Sequence, residues 1–180
     1  MIVAVTAVLA PSAVGARPGP KALVLQASDV PAGYAFDADN SMAYPRGADF
    51  GGAAEIGRVL RRTGFAGGYV VRYTNTGPPR WRYINSAAFL FERPGGAERF
   101  LSWLDASLRK QRGVRLLRRA VDLGQRGWLY TSGSADVGTA VQWRHGRVVA
   151  IVTCQQMTRH RPLALGHAAK QERRIAAALG

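Results

Sequence analysis

The stretch SAAFLFERPGGAERFLSWLDASLRKQ, Ser86 to Gln111, contains a strand signal, a break and a helix signal in immediate succession. Its apolar run Ala87–Phe91 ends a β-strand that we predict over residues 80–92. Pro94-Gly95-Gly96 interrupts the strand, and a helix is predicted over residues 97–111. The helix carries apolar residues at i, i+3, i+4, i+7 and i+11, which form one core-facing stripe: Ala97, Phe100, Leu101, Leu104 and Leu108.

The order of hairpin and then helix occurs twice in the chain. Residues 69–73 and 80–92 predict an antiparallel pair before the first long helix. Residues 139–144 and 147–155, joined at His145-Gly146, predict a tight hairpin before a last helix that ends near Leu179. With further strands at 114–121 and 127–131, the sequence predicts an α+β fold. Its antiparallel sheet has about five to seven strands, and two long amphipathic helices pack on the apolar surface of the sheet.

The N-terminal residues indicate export. We expect residues 1–16, MIVAVTAVLAPSAVGA, to be the apolar part and the cleavage site of a signal peptide. No basic residue precedes the apolar run, which leaves two explanations open: the basic start of the signal is missing, or the segment is a strand or helix of the mature protein. Ile2–Leu9 is too short for a transmembrane segment. We expect residues 17–21 to be a linker and residues 22–180 to form a single α+β domain. With no Cys at the cleavage site, a secreted or extracytoplasmic product that is released from the membrane is expected.

Two regions flank the predicted hairpins. Residues 37–53 are polar and glycine-rich and predict a long loop, in which Asp37 and Asp39 are turn formers and not metal ligands. A short helix is predicted over residues 53–62. We predict that one face of the last helix carries Leu165, Ala168, Ala169, Glu172, Ile175, Ala176 and Leu179.

The chain is strongly basic, with 25 Lys and Arg residues against 11 Asp and Glu residues and a formal charge of +14. One interpretation is an anionic partner, such as an acidic envelope polymer or nucleic acid. The other is a solvated basic surface produced by GC-rich coding, since only three of the 25 are lysines. We favour the second interpretation. No run of five basic residues occurs, so a nucleic-acid partner is not expected.

No catalytic or metal-binding motif is present. His145, His160 and His167 lack metal-ligand spacing, and the single cysteine, Cys154, lies in an apolar strand where a small buried hydrophobe is expected. Asp105 and Glu98 are expected on the solvated face of the first long helix, with Arg109 in position to pair with Asp105. We therefore predict no enzyme, no metal and no cofactor.

Aromatic and basic residues alternate in Arg80-Trp81-Arg82-Tyr83. Strand geometry places the two rings on one face and the two arginines on the other. An amphipathic strand with its rings in the core explains this pattern, and we prefer that interpretation to a nucleic-acid site. If a ligand site exists, its candidate residues are Trp81, Tyr83, Arg82 and Trp128.

Three stretches carry a resemblance to known proteins: ASDVPAGY (Ala27–Tyr34), SAAFLFERPGGAERF (Ser86–Phe100) and the region from Leu123 to Ile175. They resemble small exported domains of actinobacteria and their relatives. Such domains occur alone, as lipoproteins or as extracytoplasmic sensor parts of larger proteins, and some look like the Mog1/PsbP-type α/β sandwich. The resemblance implies a fold and a sensor-like role, and it supplies no catalytic residues. This chain lacks the lipidated cysteine of the lipoprotein members.

Three functions remain open. The first is a non-enzymatic, exported binding or sensor-like domain for a small or polymeric ligand, held between the sheet and a helix or the 37–53 loop. The second is a basic surface protein that binds acidic envelope polymers or nucleic acid. The third is an enzyme of unknown type, which the motifs do not support.

Overall fold

The computed structural model describes residues 18–48, 54–77, 82–118, 121–132, 138–155 and 160–180. The predicted signal peptide lies outside these residues. Two short 3-10 helices open the described chain, η1 (Pro20–Leu23) and η2 (Ala27–Asp29), so η1 includes the last two residues of the predicted linker. The other elements are β1 (Ala35–Phe36), β2 (Met42–Pro45), α1 (Ala54–Arg62), β3 (Phe65–Asn75), β4 (Arg82–Phe91), α2 (Pro94–Arg109), β5 (Val114–Arg118), β6 (Arg126–Ser132), β7 (Gly138–His145), β8 (Val148–Gln155) and α3 (His160–Leu179).

The strands form one antiparallel sheet in the order β1-β3-β4-β8-β7-β6-β5, and β2 pairs with another part of β3. The predicted α+β class with helices on an antiparallel sheet is confirmed. The two predicted hairpins are present as β3–β4 and β7–β8, and they meet where β4 pairs with β8. Gly146 has a φ of 54° at the β7–β8 turn, as a tight hairpin requires.

The predicted loop over residues 37–53 was wrong in part, because it contains β2. Residues 42–45 pair with residues 67–70 of β3 and bring the sheet to eight strands. The strand lies at the edge of the sheet, and three of its four residues are exposed. Its sequence therefore has no alternation of buried and exposed residues, and an edge strand accommodates Pro45.

The two long helices lie on opposite faces of the sheet, and not on one shared apolar surface as expected. Ile84 and Ala88 of β4 belong to the core beside α3, whereas Phe89 and Phe91 belong to the core beside α2. Gly96 allows α2 to start against the end of α1, since a Cβ there would lie 2.0 Å from the carbonyl oxygen of Thr63. The result is a three-layer arrangement with a core on each side of the sheet.

The buried face of α3 differs from the predicted one. Ala168 and Ile175 are buried as expected, and His167 and Gln171 are also buried, at 4% and 0% exposure. Glu172 lies at the edge of this face. Its carboxylate accepts a hydrogen bond from Trp143 Nε1 at 2.6 Å, and its other oxygen is 2.7 Å from His145 Nδ1. A polar residue is compatible with burial when its hydrogen bonds are made.

Gln171 makes those hydrogen bonds within a buried network. Ser86 Oγ of β4 donates to Gln171 Oε1 at 2.9 Å and accepts from the backbone N–H of Leu25 at 3.0 Å. Gln171 Nε2 donates to the carbonyl oxygen of Ala87 at 2.9 Å. The residues that the network joins are 61 to 85 positions apart in the sequence, so it fixes the N-terminal segment and α3 on the same strand.

A second set of contacts clamps η2 to α3. Lys170 Nζ donates to the carbonyl oxygen of Asp29 at 2.6 Å, and Arg174 pairs with its carboxylate at 2.8 Å. Burial, and to a lesser extent the charge of Lys170, lowers the pKa of His167 below the usual 6.5 of a histidine.

Replacing Ser86 with Ala removes the acceptor for Leu25 and the donor for Gln171, and leaves both groups buried. We expect a loss of about 2 kcal/mol in the free energy of unfolding, measured by urea denaturation. Ser102→Ala, on the exposed side of α2, is the control and should change that free energy by less than about 0.5 kcal/mol. Equal effects of the two substitutions would contradict the role given to the network.

The depressed pKa of His167 predicts a loss of stability in mild acid. The unfolded chain binds a proton at His167 near pH 6.5, and the folded chain binds it only at lower pH. The stability contribution is therefore complete above about pH 6.5 and declines as the pH falls below it. We expect His167→Gln to flatten the dependence of the unfolding free energy on pH between about pH 7 and pH 5. A variant that keeps the wild-type slope would show that His167 is not responsible.

Candidate ligand-binding face

Helix α2 covers only part of its side of the sheet. Phe89 of β4 and Val149 of β8 are buried beneath it, whereas Asn85 and Thr153 further along the same strands are partly exposed. The residues on this side that no described element covers are mostly polar, and we call them the polar platform: Arg72, Thr74, Tyr83, Asn85, Thr153 and Gln155.

The platform consists of two adjacent rows across β3, β4 and β8. In the first row Arg72 pairs with Asn85, and Asn85 pairs with Thr153. In the second row Thr74 pairs with Tyr83, and Tyr83 pairs with Gln155. Directly paired residues of antiparallel strands have Cβ atoms about 5 Å apart, so these six side chains form one continuous surface.

Arg72 is held in a defined position on the platform. Its Nε donates to Asn85 Oδ1 at 2.8 Å, and its guanidinium carbon lies 4.7 Å from the centre of the Tyr83 ring. Within the described part of the chain, no carboxylate forms an ion pair with Arg72. The two Nη groups therefore provide a fixed positive charge with planar donors on a partly open surface.

Tyr83 and Thr74 are also fixed. The Tyr83 hydroxyl donates to Gln155 Oε1, which links β4 to β8. Thr74 Oγ1 donates to Asp37 Oδ2 at 3.0 Å, and Asn40 donates to the same carboxylate. The hydrogen bond from the Asn40 side chain, followed by those from Thr74 and the Asn40 backbone and by the positive charge of Arg72, lowers the pKa of Asp37 below its usual value. Residues 37–41 thus form an ordered acidic rim beside Arg72.

Gln142 lies one row closer to α2, two residues from Ala140 on the same face of β7. Its side chain is 1% exposed, and its amide nitrogen has no hydrogen-bond partner among the described residues. A buried donor without an acceptor is unfavourable in the folded protein.

The predicted site residues are distributed over three places. Tyr83 and Arg82 lie on opposite faces of β4, as alternation predicted, and Arg82 faces the α3 side. Tyr83 is partly exposed on the platform and belongs to neither core, so the preferred interpretation of a ring in the core was wrong for this residue. On the α3 side the charge of Arg82 lowers the pKa of Tyr34, although burial raises that pKa more. Trp128 is 4% exposed beneath α2, and the guanidinium of Arg126 lies 4.7 Å from the centre of its ring. Trp81 lies outside the described residues. The structure therefore does not bring the four together, and their role in binding stays a prediction.

Arg72, Asn85 and Gln142 were not among the candidates. The only signal for Arg72 in the sequence is a charged residue within the strand YVVRYTN, Tyr69–Asn75, whose neighbours are mostly apolar or aromatic. Asp105 pairs with Arg109 at 2.9 Å, as expected. Glu98 was expected to be solvated, but it lies 2.9 Å from Arg144 and also pairs with Arg126.

Other reactive groups give no catalytic arrangement in the described residues. Cys154 is fully buried, and burial raises the pKa of its thiol to about 12. No group of three or more potential metal ligands occurs in those ranges. His160 Nδ1 forms a hydrogen bond with Thr139 Oγ1. Of the helices in the described ranges, none has both the length and the apolar character needed to cross a bilayer.

Comparison with known proteins identifies a fold. No protein-family model and no curated protein matches the chain. Among solved structures, the extracellular domain of PknH from Mycobacterium tuberculosis matches with a TM-score of 0.55 and 14% sequence identity. The match covers 85% of this chain and 94% of that domain. The chain is thus similar in fold, over most of its length, to an extracellular actinobacterial domain.

The environment of Cys154 predicts an unreactive thiol in the native protein. At pH 8 a thiol with a pKa near 12 is ionised to about one part in ten thousand, and burial blocks access to it. We expect the reaction with a chromogenic disulfide reagent to be at least about a hundredfold slower in native than in urea-unfolded protein. Equal rates would place the thiol at an accessible position.

Proposed function

We propose that this chain is a non-enzymatic, extracytoplasmic, sensor-like domain that binds an anionic ligand on the polar platform. The location is supported by the shared fold with an extracellular domain and by the predicted export signal. The sensor-like role is supported by the same fold and by the resemblance to exported sensor domains. A closer relation to the Mog1/PsbP-type sandwich is part of this proposal and rests on the sequence resemblance alone.

The environment of Arg72 is the observation on which the proposal depends. Five other partly buried or surface arginines pair with carboxylates among the described residues: Arg46, Arg109, Arg126, Arg144 and Arg174. Arg72 instead contacts a neutral amide and an aromatic ring, which fix its orientation. The carboxylate of Asp37 lies near enough for its pKa to be lowered by the charge of Arg72, but no carboxylate of the described residues forms an ion pair with Arg72. An anionic ligand would supply the missing partner.

The chemistry around Arg72 favours a carboxylate or a phosphate group. The planar Nη donors fit the two oxygens of either anion, and Thr153 in the same row offers a hydroxyl group. No element of the described residues covers the platform, so a small anion and a segment of an acidic polymer both have access past them.

Substitution of Arg72 tests this proposal directly. The probes are succinate and inorganic phosphate, titrated into the protein by calorimetry at constant ionic strength. We expect Arg72→Met to weaken binding at least about tenfold, because a charge-assisted bidentate contact is lost. Arg72→Lys should restore only part of the affinity, since lysine keeps the charge and lacks the planar donors.

The matched control is Arg112→Met, which removes one positive charge at an exposed residue after the end of α2. It should leave the affinity for both probes unchanged within about twofold. Equal weakening by the two substitutions would indicate a diffuse effect of net charge and would contradict a site at Arg72. Wild-type protein that binds neither probe would contradict it as well.

A further inference from the structure

A basic surface occupies the opposite side of the molecule, where the N-terminal segment meets α3. Two neighbouring shallow depressions, of about 490 and 520 Å³, share Ala22 and Arg174 in their walls. Four cations line them, and we call this surface the basic face: Lys21, Lys170, Arg173 and Arg174. Their floor consists of small residues, which include Gly19, Ala22, Ala177 and Ala178.

The charge of the basic face is only partly compensated. Asp29 is the one carboxylate that pairs with any of its four cations within the described residues. Lys170 is directed to the carbonyl oxygen of Asp29, and Lys21 and Arg173 are exposed with no ion pair in that part of the chain. A local excess of positive charge therefore faces solvent across both depressions.

Apolar rings continue the basic face on one side. Lys21 also lines a groove of about 220 Å³ with Phe36, Tyr69 and Tyr73, and its ammonium lies 5.7 Å from the centre of the Tyr69 ring. Phe36 is 54% exposed at the tip of β1 and contacts Tyr73 edge-on, with ring centres 6.3 Å apart. An exposed aromatic ring next to several cations is typical of surfaces that enter the interface of a lipid bilayer.

We infer that the basic face, together with Phe36, docks on an anionic lipid surface. The cations contact phosphate headgroups, and the Phe36 ring enters the interfacial layer. A soluble polyanion would use the cations alone, and the exposed ring therefore favours the lipid surface. In this orientation the polar platform, on the other side of the sheet, stays accessible to a ligand.

The test measures binding of the full chain to phosphatidylcholine vesicles with and without phosphatidylglycerol, and maps the contact by amide hydrogen exchange. We expect protection in residues 19–26, 35–36 and 170–178 with the anionic vesicles, and none in these residues with pure phosphatidylcholine. The double variant Lys21→Gln/Arg173→Gln should bind the anionic vesicles about 25-fold more weakly, at about fivefold per cation. Phe36→Ser should also weaken vesicle binding and leave binding to soluble polyphosphate unchanged.

Matched controls lie elsewhere on the molecule. Lys110→Gln/Arg112→Gln removes the same charge at exposed positions after α2, and Met42→Ser removes an apolar side chain that is 46% exposed on β2. Both should bind vesicles as the wild type does.

Equal losses of vesicle affinity in the controls, or hydrogen-exchange protection in other residues, would overturn the inference in favour of a diffuse charge effect. If Phe36→Ser binds anionic vesicles as the wild type does, and polyphosphate protects the same residues, the inference is overturned in favour of a soluble polymer. Arg72→Met should not affect vesicle binding, so this test and that of the platform are independent.

Discussion

The buried hydrogen bonds of Ser86 and Gln171 join three distant parts of the chain. They attach the N-terminal segment at Leu25 and helix α3 to the same central strand. Because these groups are excluded from water, each must keep its partner for the fold to be stable. The N-terminal segment and helix α3 therefore cover one side of the sheet along its centre. Helix α2 covers only one end of the other side, and the polar platform lies in the part that no described element covers.

The two sides of the sheet use charge differently. On the α3 side Asp29 and Glu172 each accept from at least two side chains or backbone groups, so the carboxylates hold segments together. On the α2 side Glu98 and Asp105 neutralise Arg126, Arg144 and Arg109 around the helix. Arg72 is fixed by Asn85 and Tyr83 and forms no such pair with a carboxylate of the described residues. The formal charge of +14 is thus a poor guide to function, and the environment of single arginines is a better one.

The sequence predicted most of the elements because strands and helices in this chain have clear periodicity. The apolar stripe of residues 97–108 and the Gly146 turn are local features, and both were confirmed. β2 escaped prediction because three of its four residues are exposed at an edge. The buried face of α3 was misplaced because Gln171 is stabilised by residues more than 80 positions away. Predicting the role of Arg72 would have required the register of β3 and β4, because that register places Asn85 and Tyr83 next to it. No local sequence pattern contains this register.

The central claim is that the side of the sheet with Arg72 is the ligand-binding side. The most direct measurement is a two-dimensional NMR titration of isotope-labelled protein with succinate at constant ionic strength, including the arginine Nε–H resonances. The account predicts that the largest shifts occur at the Arg72 Nε–H and at the backbone amides of residues 72–74, 83–85 and 153–155. Shifts spread over all arginines, or concentrated in residues 170–174 of α3, would contradict it.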